Sequence, residues 1–214
     1  MAIEFFEYPN PSHGKLPLRV ARGHFATSHS HINYYFDLTS TKHCLSEARE
    51  AAISLASKFK GTTMIDTILC LDGTEVIGAC MASELTKVGF ASMNALRTIH
   101  VIPPEHTTGS QLIFRDNIAP MIRGKHVLIL AASVSTGYTA QGAIEAIRYY
   151  GGMVMGVCAI LSSSDECFGY KVASIFQTQG LFHDYESRPS YECPLCKAGV
   201  KLDAMVNTYG FSSF

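Results

Sequence analysis

The chain has no tryptophan and few charged side chains, and neither sign of charge dominates. Asp, Glu, Lys and Arg together make up 16% of its 214 residues, and the formal net charge is −1. It has no basic tail and no helix rich in Lys and Arg, which nucleic acids and acidic membrane surfaces would require. We therefore expect neither nucleic acid nor a membrane among its partners.

Long hydrophobic runs and a secretion signal are also missing. No apolar stretch reaches the length of a membrane span, and the first residues lack the basic start and apolar run of a signal peptide. The seven cysteines are an odd number, and most of them lie within apolar runs. This pattern is typical of reduced, buried thiols, so we expect a cytoplasmic protein. The hydrophobic content of 47% is that of a globular chain.

Apolar strands and amphipathic helices alternate along the middle of the chain, which predicts βαβ units and a parallel sheet. We expect an irregular cover segment over residues 1–40, an α/β core over 41–180 and an extension over 181–214. Ser46 is the expected N-cap of the first helix. The sequence predicts helices at 47–59, 75–87 and 139–150, strands at 64–71, 92–102, 126–132 and 153–161, and a loop at 103–110.

The segment from Val127 to Thr139 carries the strongest functional signal. An apolar strand runs into the turn Ser135-Thr136-Gly137-Tyr138-Thr139, and a helix follows at once. Backbone N–H groups at a helix N-terminus, together with Ser and Thr hydroxyls, form a site for an anion such as phosphate. The alternative is a tight turn between strand and helix that binds no ligand.

This strand and turn resemble the signature of type I phosphoribosyltransferases, and the orotate phosphoribosyltransferases in particular. A second match is Cys193-Pro194-Leu195-Cys196, which is similar to a segment near the end of many bacterial members. The resemblance implies a mainly parallel central sheet flanked by helices, with a hood-like N-terminal cover layer, and a homodimer. It also implies a glycosyl transfer of pyrimidine nucleotide metabolism, from phosphoribosyl pyrophosphate to a base.

By position, the resemblance assigns the 5′-phosphate to Ser135–Thr139 and the pyrophosphate side to the turn Asp72-Gly73-Thr74. The two acidic residues that hold ribose and organise magnesium correspond to Ala131 and Ala132, which have no acceptor oxygens. Mg²⁺ is therefore expected only if phosphoribosyl pyrophosphate binds.

The basic loop that should cover pyrophosphate is also altered. Residues 103–110 contain no Lys or Arg. They offer only His106 as a cation, with Arg97 and Arg115 flanking the loop, each interpreted as a solvated surface charge.

Two functions remain open, and in both the ligand is a small phosphate compound. One is a phosphoribosyltransferase that binds phosphoribosyl pyrophosphate or a nucleotide by its 5′-phosphate, without the family's catalytic acids. The other is a non-catalytic binder of a nucleotide or sugar phosphate, with a sensing or regulatory role. No residue is assigned a catalytic role.

The sequence favours no metal site. Cys193 and Cys196 have the spacing of half a zinc site, which His183 and Cys167 could complete, but packed thiols in a tight turn are the preferred interpretation. The histidines between residues 24 and 43 are interpreted as a polar surface patch, with His29 and His31 on one face of a strand.

Overall fold

The computed structural model describes residues 3–8, 16–89, 92–108 and 111–214. The strands of these ranges are β1 (Phe5–Tyr8), β2 (Leu18–Ala26), β3 (His31–Asp37), β4 (Thr67–Cys70), β5 (His100–Ile102), β6 (Glu105–His106), β7 (Leu112–Ile113), β8 (His126–Val134), β9 (Met153–Ser162), β10 (Glu166–Cys167), β11 (Tyr170–Gln177), β12 (Ser187–Arg188), β13 (Ala204–Asn207) and β14 (Gly210–Ser213). The helices are α1 (Thr39–His43), α2 (Leu45–Ser57), α3 (Glu75–Thr86), α4 (Tyr138–Tyr149), α5 (Thr178–Leu181) and α6 (Pro194–Lys197), with a 3-10 turn at Ala119–Met121.

The central sheet has the strand order β10-β11-β9-β8-β4-β5. From β11 to β5 every neighbouring pair is parallel, and only the short edge strand β10 is antiparallel. The predicted parallel α/β sheet is confirmed. Its carboxyl edge, where ligands bind in such sheets, carries the turn after β4 and the turn after β8.

The middle strand β8 is apolar throughout because both of its faces are buried. Val127 and Ile129 pack in the cluster that contains α4, while Leu128 and Leu130 pack in the cluster that contains α2 and α3. Successive side chains of a strand point to opposite faces, so a strand covered on both sides reads as a continuous hydrophobic run.

A second sheet covers the carboxyl edge of the first, in the order β12-β3-β2-β13-β14 with β1 also paired to β2. The prediction that residues 1–40 are irregular is therefore wrong for most of the described part of this segment. In β2, buried Leu18 and Val20 alternate with half-buried Arg19 as a strand should, but a break in register between Arg22 and Phe25 interrupts the alternation. The segment boundaries near residues 40 and 180 stay predictions.

Two further details of the predicted elements are wrong. The helix predicted to begin at Glu47, with Ser46 as its N-cap, begins at Leu45, and its N-cap is Cys44, whose carbonyl accepts the N–H of Ala48. The strand predicted over 92–102 pairs only at His100–Ile102, because the preceding residues form turns around the buried side chain of Asn94, which bonds the backbone of Ile65.

The predicted loop at 103–110 contains the short strand β6, which pairs with β7, and its residues 109 and 110 lie outside the described ranges. The helix predicted at 139 begins one residue earlier, at Tyr138. None of the helices in the described ranges combines the length and hydrophobicity needed to span a bilayer.

Asp66 joins the amino ends of three neighbouring core strands. Its carboxylate accepts hydrogen bonds from the backbone N–H and ring Nδ1 of His126, at 3.0 and 2.7 Å, and from Arg97 at 2.8 Å. Burial raises the pKa of this carboxyl, but the His126 hydrogen bonds and the Arg97 charge outweigh it, so the pKa of Asp66 lies below its usual value. The charged form of Asp66 therefore stabilises the sheet.

Candidate functional site

A cavity of about 410 Å³ lies between the covering sheet and the carboxyl edge of the central sheet. The turn after β8 forms its floor, and the 27–30 turn of the covering sheet forms part of its roof. Residues 206–208 and Gly210, from the β13–β14 hairpin, line it as well. The structure thus brings residues from both halves of the chain around one space of a size suited to a small molecule.

The five residues proposed for phosphate, Ser135–Thr139, all line this cavity. Helix α4 starts at Tyr138, and its N-cap is Gly137, which has a φ of 80° and no side chain to cap the helix. The first N–H groups of a helix have no acceptor within the helix, so those of α4 remain as donors toward the cavity. The loop is also held by Ser163, another lining residue, whose hydroxyl donates to the carbonyl of Ser135 at 3.0 Å.

Ala131 and Ala132, which the resemblance predicts at the positions of an acidic pair, also line the cavity and are nearly fully buried. Asp72 is the one carboxylate among the described residues that line it. Burial raises the pKa of this carboxyl, which already accepts the backbone N–H of Ala132. Mg²⁺ is usually held by carboxylates and retains several waters. These residues do not fit a magnesium site.

A lysine that sequence reasoning did not single out lies beside Asp72 at the cavity. Lys42, on α1, is 3% exposed, and its ammonium donates to the carbonyls of Asp72, at 3.0 Å, and Thr208. Burial lowers its pKa, while the charge of Asp72 acts in the opposite direction. Lys42 and Asp72 are the only Lys, Arg, Asp or Glu among the described lining residues, so the cavity has almost no net charge. Sequence patterns gave no indication that Lys42 would be buried at a site, because it lies in the short polar helix α1.

The remaining turn residues and the flanking cations lie elsewhere. Thr74 is fully buried, and its hydroxyl donates to the carbonyls of Leu71 and Leu130. Arg97 pairs with Asp66, and Arg115 pairs with Glu105 in an exposed ion pair. His106 lies in β6 and is exposed. None of these four residues is among those that line the cavity.

One buried hydroxyl at the cavity has no hydrogen-bond partner among the described residues. Thr178 lines the cavity, is 2% exposed, and its Oγ1 makes no hydrogen bond to any described residue. Buried polar groups are rarely left unpaired, because the lost hydration costs free energy. The hydroxyl of Thr178 is therefore a buried polar group at the cavity whose hydrogen-bonding capacity no described residue uses.

Aromatic side chains form part of the opposite wall. Tyr35, Phe36 and Tyr185 line the cavity, and the rings of Phe36 and Tyr185 lie 5.6 Å apart. Burial, together with the charge of Asp37, raises the pKa of Tyr35 to about 12, so its hydroxyl stays protonated at neutral pH. Aromatic faces of this kind suit a planar, apolar-faced ring.

A second cluster lies beside the cavity and unites residues that are far apart in sequence. One side-chain nitrogen or sulfur from each of His24, His31, Cys193 and Cys196 lies within 4.8 Å of the others. His183 and Cys167, named as the candidates that could complete a zinc site, are not part of this cluster, and Cys167 packs against Gly137 in the turn after β8. The interpretation of the histidines as a surface patch is also wrong for His24, which is 1% exposed.

The sequence is similar to those of orotate phosphoribosyltransferases. It is 29% identical to the orotate phosphoribosyltransferase of Caldanaerobacter subterraneus subsp. tengcongensis over 187 residues, which covers 86% of this chain and 88% of that protein. Identity to the enzyme of Chlorobium phaeobacteroides is 28% over 189 residues, with the same coverage. No protein-family model matches the chain.

The fold is shared with solved structures. Orotate phosphoribosyltransferase from Aeropyrum pernix superposes with a TM-score of 0.54 at 15% identity, over 77% of this chain and 90% of that one. Leishmania donovani UMP synthase superposes with a TM-score of 0.56 at 19% identity, over 85% of this chain but only 36% of that longer one.

Proposed function

We propose that this chain, a type I phosphoribosyltransferase by fold and similar in sequence to orotate phosphoribosyltransferases, binds a nucleoside 5′-monophosphate without magnesium. The phosphate would lie on Ser135–Thr139, and the base against the aromatic wall. The observation that carries the proposal is the charge of the cavity, which has Lys42 as its one ammonium and Asp72 as its one carboxylate among the described lining residues.

These charges favour a ligand with one phosphate group over phosphoribosyl pyrophosphate, which has three. A single phosphate at the start of α4 would meet backbone N–H donors and hydroxyls, which need no metal. Phosphoribosyl pyrophosphate adds a pyrophosphate, for which the described cavity has only Lys42 as a cation, next to the carboxylate of Asp72. Without a metal or further cations, the repulsion within that group would stay uncompensated.

The unpartnered hydroxyl of Thr178 supports a ligand with its own polar groups, such as a ribose or a base edge. The ring pair of Phe36 and Tyr185 supports a planar base. A sensing or regulatory role, a cytoplasmic location and a homodimer stay predictions.

Magnesium-dependent phosphoribosyl transfer to orotate is the second candidate. It is favoured by one observation: the 29% identity to an orotate phosphoribosyltransferase extends over 86% of the chain. In this alternative, Asp72 and the ligand itself would have to replace the missing acidic pair.

Calorimetric titration of the full chain separates the two candidates. We expect uridine 5′-monophosphate, the probe monophosphate, to bind equally well with and without Mg²⁺, and more tightly than phosphoribosyl pyrophosphate. Tight binding of phosphoribosyl pyrophosphate only with Mg²⁺, followed by release of pyrophosphate when orotate is added, would establish the second candidate instead. If neither compound binds, both candidates fail.

The double variant Ala131→Asp/Ala132→Asp provides a sharper test of the family geometry. Two carboxylates at these positions should raise the affinity for phosphoribosyl pyrophosphate in the presence of Mg²⁺. Ser133→Asp, on the same end of β8, is the matched control for added charge alone and should lower that affinity. If the double variant binds as weakly as the control, β8 does not present these positions to a ribose.

A further inference from the structure

We propose that His24, His31, Cys193 and Cys196 together bind one Zn²⁺ ion, which fastens the Cys-Pro-Leu-Cys turn to the covering sheet. The ion would be structural, because all four positions around it would be filled by the protein. None of these four residues is among the described residues that line the cavity, so this proposal does not depend on nucleotide binding.

The distances between the four ligand atoms fit a tetrahedral ion. Zn–N and Zn–S bonds of ordinary length, arranged tetrahedrally, place neighbouring ligand atoms roughly 3.3 to 3.8 Å apart. In the structure, His24 Nε2 lies 3.1 Å from His31 Nδ1, 3.4 Å from Cys193 Sγ and 3.6 Å from Cys196 Sγ. Cys196 Sγ lies 3.2 Å from His31 Nδ1. Two of these distances lie within that range and two are 0.1 to 0.2 Å shorter, while the remaining two pairs of ligand atoms lie within 4.8 Å. Side chains from two distant parts of the chain thus surround one point at close to tetrahedral spacing.

The residues around His24 fix its orientation. Its Nδ1 lies 3.0 Å from the carbonyl of Val200, which can only accept a hydrogen bond, so Nδ1 carries the proton and Nε2 presents a lone pair. Its backbone N–H donates to the carboxylate of Asp203 at 2.8 Å, and its carbonyl accepts the N–H of Asp203 at 2.8 Å. Metal-ligating histidines are typically held in this way, by an acceptor on the nitrogen that does not bind the ion.

The backbone of the covering sheet is also shaped around this point. The break in register of β2 falls at Gly23, next to His24. A Cβ on Gly23 would come within 2.6 Å of an Asp203 oxygen, so only glycine allows Asp203 to approach so closely. A bulge of this kind re-aims a side chain out of the regular alternation.

The cysteine turn has the form that presents two sulfur atoms in one direction. Cys193 is the N-cap of α6, and its carbonyl accepts the N–H of Lys197 at 3.1 Å. The turn closes at Gly199, whose φ of 72° is readily available to glycine. Cys196 and His31 lie at the more open side of the cluster, while Cys193 and His24 are buried.

Zinc is the ion that this donor set favours. Two thiolates and two imidazoles in a tetrahedron suit Zn²⁺, whereas Mg²⁺ and Ca²⁺ require oxygen ligands. Without an ion, the same four side chains would form either a hydrogen-bonded cluster of thiols and imidazoles or a disulfide between the two cysteines. The metal content of the purified chain distinguishes these two arrangements from the zinc site.

The experiment is metal analysis of the purified full chain together with cobalt spectroscopy. We expect about one zinc per chain by elemental analysis, and replacement by Co²⁺ should give the visible absorption bands of a tetrahedral, thiolate-bound ion. Removing the zinc with a chelator should lower the Tm by roughly 8 to 16 °C if free zinc had been about 1,000-fold above its Kd.

Single substitutions assign the ligands. Cys193→Ser and His31→Asn should each lose most of the zinc and change the cobalt spectrum. Cys44→Ser and His29→Asn are the matched controls outside the four-residue cluster and should keep both. If Cys193→Ser fails to fold, the cobalt spectrum of the unaltered chain still tests the thiolate ligands.

A reduced, unaltered chain that contains no metal and takes up neither Zn²⁺ nor Co²⁺ would overturn the proposal, and so would a Cys193→Ser variant that keeps the ion. Rapid formation of a Cys193–Cys196 disulfide in place of metal uptake would also overturn it and would indicate a redox-active pair. None of these outcomes depends on nucleotide binding, so the zinc site and the proposed function can fail separately.

Discussion

Replacing Thr178 by valine tests whether the cavity is built for a polar ligand. Valine keeps the branched shape and removes only the hydroxyl, which in the structure is buried and without a partner among the described residues. The same change should therefore have opposite effects on the ligand-free chain and on the complex. The chain should become more stable, and the complex weaker.

The magnitudes follow from ordinary hydrogen-bond energetics. An unpartnered buried hydroxyl costs about 1 to 3 kcal/mol, so its removal should raise the unfolding free energy by about 1 to 2 kcal/mol. For a chain of this length that corresponds to a Tm increase of about 2 to 8 °C. In the complex, the loss of one neutral hydrogen bond should raise the Kd for the monophosphate about 2- to 10-fold.

Thermal unfolding followed by circular dichroism gives the first quantity, and calorimetric titration with uridine 5′-monophosphate gives the second. Ser174 provides the matched control, because its hydroxyl is also buried and bonds to none of the residues that the structure describes, but it does not line the cavity. Ser174→Ala should leave the Kd unchanged. A Thr178→Val chain that is less stable and binds the monophosphate as before would refute the assignment of this hydroxyl to a ligand.

Three further predictions concern the loop, the lysine and the sheet. Gly137→Ala should lower the unfolding free energy by about 1 to 2 kcal/mol through backbone strain and raise the Kd for the monophosphate more than ten-fold. Gly169 has a similar φ of 82° and open space around it, so Gly169→Ala should show the same loss of stability in urea titrations without a change in Kd. Lys42→Met should weaken monophosphate binding roughly ten-fold in calorimetry, because the described cavity lining loses its one ammonium and thus its attraction for a phosphate dianion, whereas Lys87→Met on the surface should not. Asp66→Asn should lower the unfolding free energy by about 1 to 2 kcal/mol at pH 7. Because the folded chain lowers the pKa of Asp66, this difference should disappear as the pH falls below about 4 and through that lowered pKa. A difference that persists in acid would show that the charge of Asp66 is not responsible.

The central sheet could be predicted because its signals are local. The run from Val127 to Leu130 is apolar on both faces, and Asp72-Gly73 and Gly137 mark the turns that follow two of the strands. The strand predicted over 92–102 shows where prediction from local patterns fails. There the side chain of Asn94 accepts the backbone N–H of Ile65 and holds the chain in turns. That interaction joins residues 29 positions apart and leaves no trace in the hydrophobic pattern.

The candidate sites were predictable only where one segment carries them. Ser135–Thr139 form a continuous loop, so their pattern could be recognised directly. Lys42 lines the cavity because it is buried beside the turn after β4, and Thr178 does so because it directly follows β11. Lys and Thr are both ordinary residues of a surface helix, so neither could be recognised from the sequence. His24 and Cys193 are 169 positions apart and meet only because β13 pairs with β2.

That parallel pairing of β2 with β13 also determines when the covering sheet can form during synthesis. Phe25 in β2 is paired with Ala204 in β13, so this part of the covering sheet stays incomplete until nearly the whole described chain has left the ribosome. Until then the end of β2 at Phe25 and Ala26 presents an open edge, and the buried side chain of Phe25 lacks its partner strand. The nascent chain must keep that edge from pairing with other chains, and its yield should depend on chaperones more than its folded stability would indicate.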